Sequence, residues 1–443
     1  KIVNKIIDDL NIYTLRNDFI FINATYDEIL NKDNTIDIII KFKDIEKQFV
    51  ERINILGNFI TDEKVLRNRL LADEGDPFNE ILVNKSINNV RSIGIFKKAD
   101  INVETSNDKK SKIININVEE KPTGEIFAGA GTGTSGSSLS FGVSENNYNG
   151  EGVKLGSNFS ITDDSITGKL FLDEPNYKNS NRSFSRSIEK SDNDYMSSYG
   201  YKTEKTGFSF GTSYEQYREV FFSPTFETTY EDISTNASAS ASKKKQQGTY
   251  LDLILDYDII LNKLNQNFNP TDGYIFSFTQ ELPFYSEDYT IINKLNYSKY
   301  FETENNLVFS FSLFGASANS LSNDDARITK RIFIPSRKLR GFESGKIGPK
   351  DGNDYIGGNF GSAVNIVTTL PDLFADVQNL DISLFLDTAN VWGVDYNSSL
   401  DSNKIRSSTG IAVDWFTPIG PLSFSFASPI TKSSTDETET FRF

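Results

Sequence analysis

From about Lys121 onward the chain repeats one pattern, short runs in which large apolar residues alternate with small polar ones. In "LVFSFSLF", Leu307, Phe309, Phe311 and Leu313 fall on one side while Ser310 and Ser312 fall on the other. "PLSFSFAS" sets Leu422, Phe424 and Phe426 against Ser423 and Ser425, and "GYIFSFTQE" sets Tyr274, Phe276 and Phe278 against Ser277, Thr279 and Glu281. A period of two is the signature of β-strands with two unlike faces. A soluble sandwich would also show one apolar face. Here the polar face is rich in Ser, Thr and Asp rather than Lys and Glu, and the apolar face carries many aromatics, with 35 Phe and 19 Tyr in 443 residues. Both features fit strands with one face in lipid and one in a polar lumen. At roughly 20 residues per strand plus connection, residues 121–443 hold about 16 strands. An even count alternates the sides on which connections fall. The long ones, 234–247 and 335–359, are expected on the outer side, and the short turns "NNYNG", "NPTDG" and "PIG" on the other.

The first 120 residues obey a different grammar. "KIVNKIIDDL" spaces Ile2, Ile6, Ile7 and Leu10 along one helical face and precedes two strand-like runs, "IFINATYDEI" and "TIDIIIKFKDI". Residues 47–120 then read as strand, helix, helix, strand, strand. Thr61 is the expected N-cap of the first helix, with Asp62 and Glu63 suited to the positive end of its dipole. Gly94 marks the end of the second. Residues 1–46 look like the α-β-β tail of the same unit, as though the chain were the interior of a longer precursor. The fold class expected is therefore mixed: an antiparallel 16-stranded transmembrane β-barrel over 121–443, preceded by α+β (β-α-α-β-β) units, one partial over 1–46 and one complete over 47–120.

Composition narrows the chemistry. The chain has no His and no Cys, which removes a Ser-His-Asp triad, thiolate nucleophiles and the usual imidazole or thiolate metal sites. No enzyme activity, cofactor or metal is expected. A net charge of −15 argues against nucleic-acid binding. No window reaches the roughly 18–20 apolar residues of a transmembrane helix. The acidic runs "TDDS", "SNDDAR" and "STDETET" and the basic "SKKKQQ" are read as solvated loop tips, with divalent-cation or lipid-phosphate contacts as the alternative.

At this point the residues resemble a known family. The half unit, the full β-α-α-β-β unit and the 16-strand count are similar to the POTRA-plus-barrel architecture of the outer-membrane protein assembly superfamily. "FVERINILGN" resembles the opening strand of its last POTRA domain, and "FNPTDG" a turn into a mid-barrel strand. "LRGFESGKIGPKDGNDYIGGN" resembles the family's signature loop, while "FLDTANVW" and "WFTPIGPLSFSFASP" resemble strands near its C-terminus. The resemblance covers essentially the whole chain. It implies folding and insertion of client outer-membrane proteins, without ATP, at a seam between first and last barrel strands. Implied partners are unfolded outer-membrane protein clients, accessory lipoproteins, and outer-membrane lipid or lipopolysaccharide. The implied location is the bacterial outer membrane, with POTRA domains in the periplasm.

The seam and the loop can be read from their residues as well. The first barrel strand, "EIFAGAGTGTSGSS", carries Phe127, Gly129, Gly131 and Gly133 on one face. Glycine weakens a strand that must detach from its neighbour; equally, it leaves room for side chains inside the barrel. The last strand, "ETFRF", offers Phe441 and Phe443 and is expected to continue, as in family members. In the loop, the motif Leu339, Arg340, Gly341 and Phe342 holds an Arg that needs a carboxylate if it folds inward, and is a solvated charge if it does not. In "DISLFLDT", Ile382, Leu384 and Leu386 make a lipid face, so Asp381, Ser383, Phe385 and Asp387 point into the lumen. Asp387 is thus the candidate partner, and the resemblance pairs it with Arg340. The family's second acid, on the strand directly after the loop, is replaced at the expected position by Val367.

The alternatives are a polypeptide-transporting pore of the same superfamily (a two-partner secretion exporter), a translocation and assembly module barrel, a general porin, and an enzymatic barrel. A porin lacks POTRA-like units, and enzymatic barrels resemble systems that rely on His.

Overall fold

The computed structural model describes every residue except 1, 2, 4, 5, 8, 9, 12, 15–18, 20, 32–34, 45, 108, 109, 135, 197–199, 268, 323, 324, 372–378, 418 and 419. The helix expected over residues 1–10 and the "PIG" turn lie largely outside the described residues. Two compact units form, one of residues 1–125 with 145–154, the other of residues 126–144 with 155–443.

In the first unit, β1 (Ile22–Leu30) and β2 (Ile36–Asp44) pair as an antiparallel hairpin, Ile22 opposite Asp44 and Leu30 opposite Ile36. The complete β-α-α-β-β repeat follows as β3 (Phe49–Leu56), α1 (Glu63–Arg67), α2 (Glu80–Ser92), β4 (Phe96–Thr105) and β5 (Ser111–Glu120). The sheet order is β3-β5-β4, with β3 parallel to the central β5. Val50 and Ile53 of β3 and Ile114 and Ile116 of β5 bury against Leu66 of α1 and Val83, Ile87 and Val90 of α2. The side chain of Asn79 caps α2, accepting the N–H groups of Ile81 and Leu82, and Gly94 (φ +79°) follows its end.

Thr61 does not cap α1. The N-cap is Asp62, with no side-chain cap bond, and the Thr61 hydroxyl accepts from Asn147 Nδ2 at 2.9 Å. The loop before α1 is held instead by Glu120, whose carboxylate accepts the N–H groups of Phe59 (3.1 Å), Ile60 (3.0 Å) and Thr61 (2.7 Å). Burial works against ionisation of Glu120, but donation from Thr61, Ile60 and Phe59 outweighs it and holds the carboxyl below its ordinary value. A depressed carboxylate contributes stability above its unfolded pKa and loses it as pH falls through the folded one. Glu120→Ala is therefore expected to cost about 1–3 kcal/mol and to speed hydrogen exchange at Phe59 and Ile60. Wild type should show the same loss of protection only on acidification below the ordinary carboxylate range. Unchanged exchange in the variant would show that Glu120 does not hold the loop.

The second unit is a 16-stranded, nearly closed antiparallel barrel. Eleven strands come first: β6 (Gly124–Gly133), β7 (Gly136–Tyr148), β8 (Val153–Thr162), β9 (Ser165–Glu174), β10 (Ser183–Tyr195), β11 (Tyr201–Tyr217), β12 (Val220–Thr235), β13 (Gly248–Asn262), β14 (Gly273–Tyr285), β15 (Thr290–Glu302) and β16 (Val308–Ser320). The long connection after β16 contains a small hairpin, β17 (Lys350–Asp351) and β18 (Asp354–Tyr355). Five strands complete the sheet: β19 (Phe360–Thr369), β20 (Leu380–Trp392), β21 (Arg406–Thr417), β22 (Gly420–Thr431) and β23 (Phe441–Arg442). The order is sequential from β6 to β16, then β19 to β23. Exposed Phe208, Phe210, Leu384, Leu386, Ile411 and Phe426 line the outer face. Inside, polar pairs bridge neighbouring strands, such as Ser187 with Ser209 and Ser298 with Ser312, both at 2.8 Å. The segment 234–247, expected as loop, contains a short helix, α3 (Ala241–Lys245).

Candidate functional site

A lumen enclosed by sixteen strands is too wide for wall side chains alone to fill. Here residues 325–359 fold into it. Ile334, Leu339, Phe342 and Ile347 pack on Phe314 of β16, Ala363 of β19, and Ala389 and Val391 of β20. Ile332 packs with Ile292 and Ala318. Small Ala residues on the inner wall leave the space these larger side chains occupy.

Within this packing, Arg340 meets Asp387 in a two-pronged ion pair: Nε to Oδ2 and Nη2 to Oδ1, each 2.7 Å. The backbone N–H of Arg340 adds a third bond to Oδ2 at 3.1 Å. The guanidinium carbon also lies 3.5 Å from the ring centre of Phe385, two residues before Asp387 on the same face. Asp387 is 0 % exposed, so its charge depends on the donors packed around it rather than on water. Gly341 adopts φ +87°, and a Cβ there would press on Ala427 (3.1 Å) and Ser408 (3.3 Å). The Arg340 carbonyl accepts the Ser408 hydroxyl, and Phe342 is buried. Leu339 to Phe342 thus touch β20, β21 and β22 together.

The residue on the following strand that faces Asp387 is Asn365, not Val367. Asn365 is directly opposite Asp387 in the β19–β20 register, and its Nδ2 donates to Asp387 Oδ1 and to the Lys338 carbonyl, both at 2.8 Å. Val367 is two pairs further along, opposite Phe385, and packs against it. A neutral amide therefore completes the coordination, leaving one guanidinium against one carboxylate.

A second cluster escaped the sequence reading. Arg327, at the start of the loop, donates to Glu231 (3.2 Å), Asp252 (2.6 Å) and Asp288 (3.3 Å), and Lys330 donates to Asp288 at 2.7 Å. Arg327 also stacks over Tyr250, 4.1 Å from ring centre, and its side chain is 2 % exposed. Two cations thus face three carboxylates. Burial opposes ionisation of Asp288, yet Lys330 and Arg327 pull its carboxyl down to about 2. Nearby, Arg331 pairs with Asp395, which also accepts the Asn359 side chain at 3.1 Å. The signal was present in "RITKR" and in the inward parity of Glu231 and Asp252. Nothing in spacing linked three carboxylates on separate elements to one Arg.

At the seam, β6 and β23 are the two edges of the sheet. Among the described residues one backbone bond joins their ends, from the N–H of Thr134, just after β6, to the carbonyl of Phe443, just after β23, at 3.1 Å. An ideal Cβ at Gly133 would collide with that carbonyl oxygen, whereas Cβ atoms at Gly129 and Gly131 would meet only the hydroxyls of Ser140 (3.2 Å) and Ser138 (3.1 Å). Gly133 therefore permits close backbone approach at the seam, and the other two leave room for inward Ser side chains. Phe127 lies over Gly142 on that face. β23 spans only Phe441–Arg442, paired with Phe426 and Ser425. The ring of Phe443 stacks on Phe424 at 5.2 Å, and Phe441 leans on Phe426 at 4.9 Å.

This combination defines a class: an outer-membrane-type barrel of sixteen strands, with an inward loop pinned by an Arg–Asp pair and preceded by a POTRA-like unit. The sequence matches the Omp85 superfamily domain over residues 147–443 and the POTRA family, a surface antigen variable number repeat, over residues 48–121. The chain belongs to the Omp85 superfamily. It is 25 % identical to the outer membrane protein assembly factor BamA of Neorickettsia risticii (strain Illinois), over 96 % of this chain and 58 % of that one. Against BamA of Neisseria meningitidis serogroup B the identity is 24 %, over 92 % and 58 %. The chain thus spans a little over half the length of the curated relatives it matches. Among solved structures, BamA from Haemophilus ducreyi lacking POTRA domains 1–3 superposes with a TM-score of 0.83 at 25 % identity, covering 100 % of this chain and 92 % of that one. CdiB from Acinetobacter baumannii shares the fold at a TM-score of 0.56 and 12 % identity, over 99 % and 81 %.

Proposed function

We propose that this chain is the barrel core of an outer-membrane protein assembly factor. It folds and inserts client outer-membrane proteins through the seam between β6 and β23, without ATP and without covalent chemistry. The observation that carries this reading is the meeting of the two sheet edges, β6 and β23, beside a lumenal loop anchored on the neighbouring strands. Strand edges template further strands through their open N–H and C=O groups, so the two sheet edges β6 and β23 are suited to accept a client strand. The likeness to BamA over nearly the whole chain supports the same conclusion, whereas the likeness to CdiB extends to the fold alone. The POTRA units then lie in the periplasm and receive unfolded clients and accessory lipoproteins, while the outer face contacts lipid and lipopolysaccharide.

The test is reconstitution into liposomes with a urea-denatured client barrel and no nucleotide. Folding of the client is expected to be faster than in empty liposomes. No acceleration, together with ion conductance through the reconstituted protein, would favour the polypeptide-transporting pore.

A further inference from the structure

The closing strand carries an Arg, Arg442, at an inward position. Arg442 lies between the outward rings of Phe441 and Phe443, and its guanidinium makes four bonds. Nε and Nη2 donate to Glu439 Oε2 at 2.9 and 2.7 Å; Nη1 donates to the Ser336 carbonyl at 3.1 Å, and Nη2 to the Phe342 carbonyl at 2.8 Å. Ser336 precedes the Leu339–Phe342 motif and Phe342 ends it, so one side chain grips the loop on both flanks of Arg340. The segment leading into β23 follows the same path: Glu439 N–H donates to the Gly341 carbonyl, Glu343 N–H to the Glu437 carbonyl, and Glu437 N–H to the Lys346 carbonyl, each at 3.1 Å. The Tyr355 hydroxyl donates to the Thr435 carbonyl.

We propose that Arg442 is a positioning residue that ties the closing strand to the loop motif, so that the seam edge and the loop are released together. A planar guanidinium can reach two carbonyls and a carboxylate at once, and a Lys ammonium lacks that fork. Withdrawing β23 from its neighbour pulls Arg442 off Ser336 and Phe342, and displacing the loop takes away the acceptors that hold β23. The consequence for client insertion rests on the assembly reading; the mechanical coupling does not.

The experiment compares wild type, Arg442→Gln and Arg442→Lys as full chains in liposomes, by hydrogen exchange. Because the chain has no Cys, a Thr134→Cys/Phe443→Cys pair also reports seam closure by disulfide trapping. In Arg442→Gln, exchange over 437–443 and over 339–346 is expected to rise together, by roughly tenfold or more given what hydrogen bonds from a charged donor contribute. Trapping of the seam pair should fall, and Arg442→Lys should not restore either readout. Unchanged exchange, or a rise confined to 437–443 with 339–346 still protected, overturns the proposal. Wild type failing to accelerate client folding would sink the assembly reading and leave the exchange result to decide the coupling on its own.

Discussion

Replacing Arg340 with Ala is expected to destabilise the barrel by about 3–5 kcal/mol, the cost of stripping the partner from a buried charge. Asp387 is fully buried and would keep only Asn365 and the residue 340 N–H as donors. Loss of the guanidinium also removes its contact with the Phe385 ring. Arg340→Lys should recover little, because an ammonium can neither bridge both carboxylate oxygens nor lie flat on the ring. Asp387→Asn should also be harmful, since the partly buried guanidinium then loses its counter-charge. Adding it to Arg340→Ala should cost less than the sum of the two, because the groups act as a unit. Urea unfolding of the four variants in lipid gives the cycle, and client-folding rates measured in parallel show whether assembly follows loop position. If both single variants unfold and assemble clients like wild type, the pair is not a strut.

Arg327→Ala should have a comparable effect, about 3–5 kcal/mol, by a different route. It strips Glu231 of its Arg327 ion pair and leaves Asp252 and Asp288 paired with Lys330, so like charges crowd a buried site. The loop start, residues 325–334, should lose hydrogen-exchange protection while residues 339–346 keep theirs, because the Arg340 pair is separate. A pH dependence distinguishes this from a packing defect. In wild type the Asp288 carboxyl is held at about 2, so it stays ionised across the accessible range. Without Arg327 one of its two cations is gone and its pKa rises. A carboxylate contributes the stability of its ion pair only above its folded pKa, so the deficit of the variant should shrink as pH falls and be largest near neutrality. A deficit independent of pH would mean that volume, not charge, is what Arg327 supplies.

Much of the architecture was legible because its causes are local. Alternation with period two registers which face each residue takes, so both the strand count and the inward aim of Asp387 could be read before any contact was known. The same reasoning could not settle the last step at Asn365. Residues 363, 365 and 367 all share the inner face, and only the register between β19 and β20 decides which of them meets Asp387. A neighbouring strand overrode local preference at Thr61, where Asn147, near the end of β7, donates to the hydroxyl that would have capped α1. The glycines of β6 looked alike in sequence. They divide in space because Gly133 alone meets the Phe443 backbone.

By itself, then, the sequence determined strands, faces and the POTRA repeat, since each follows from periodicity within a strand or helix, and it made Asp387 an inward candidate that the family resemblance paired with Arg340. The tertiary structure alone decided which distant groups share a buried volume: three carboxylates from separate elements around Arg327, and loop carbonyls around Arg442. Such clusters depend on barrel register and on the path of a 39-residue connection over 321–359. No spacing along the chain encodes either, because what brings those charges together is the low-dielectric interior that forces each one to find a partner.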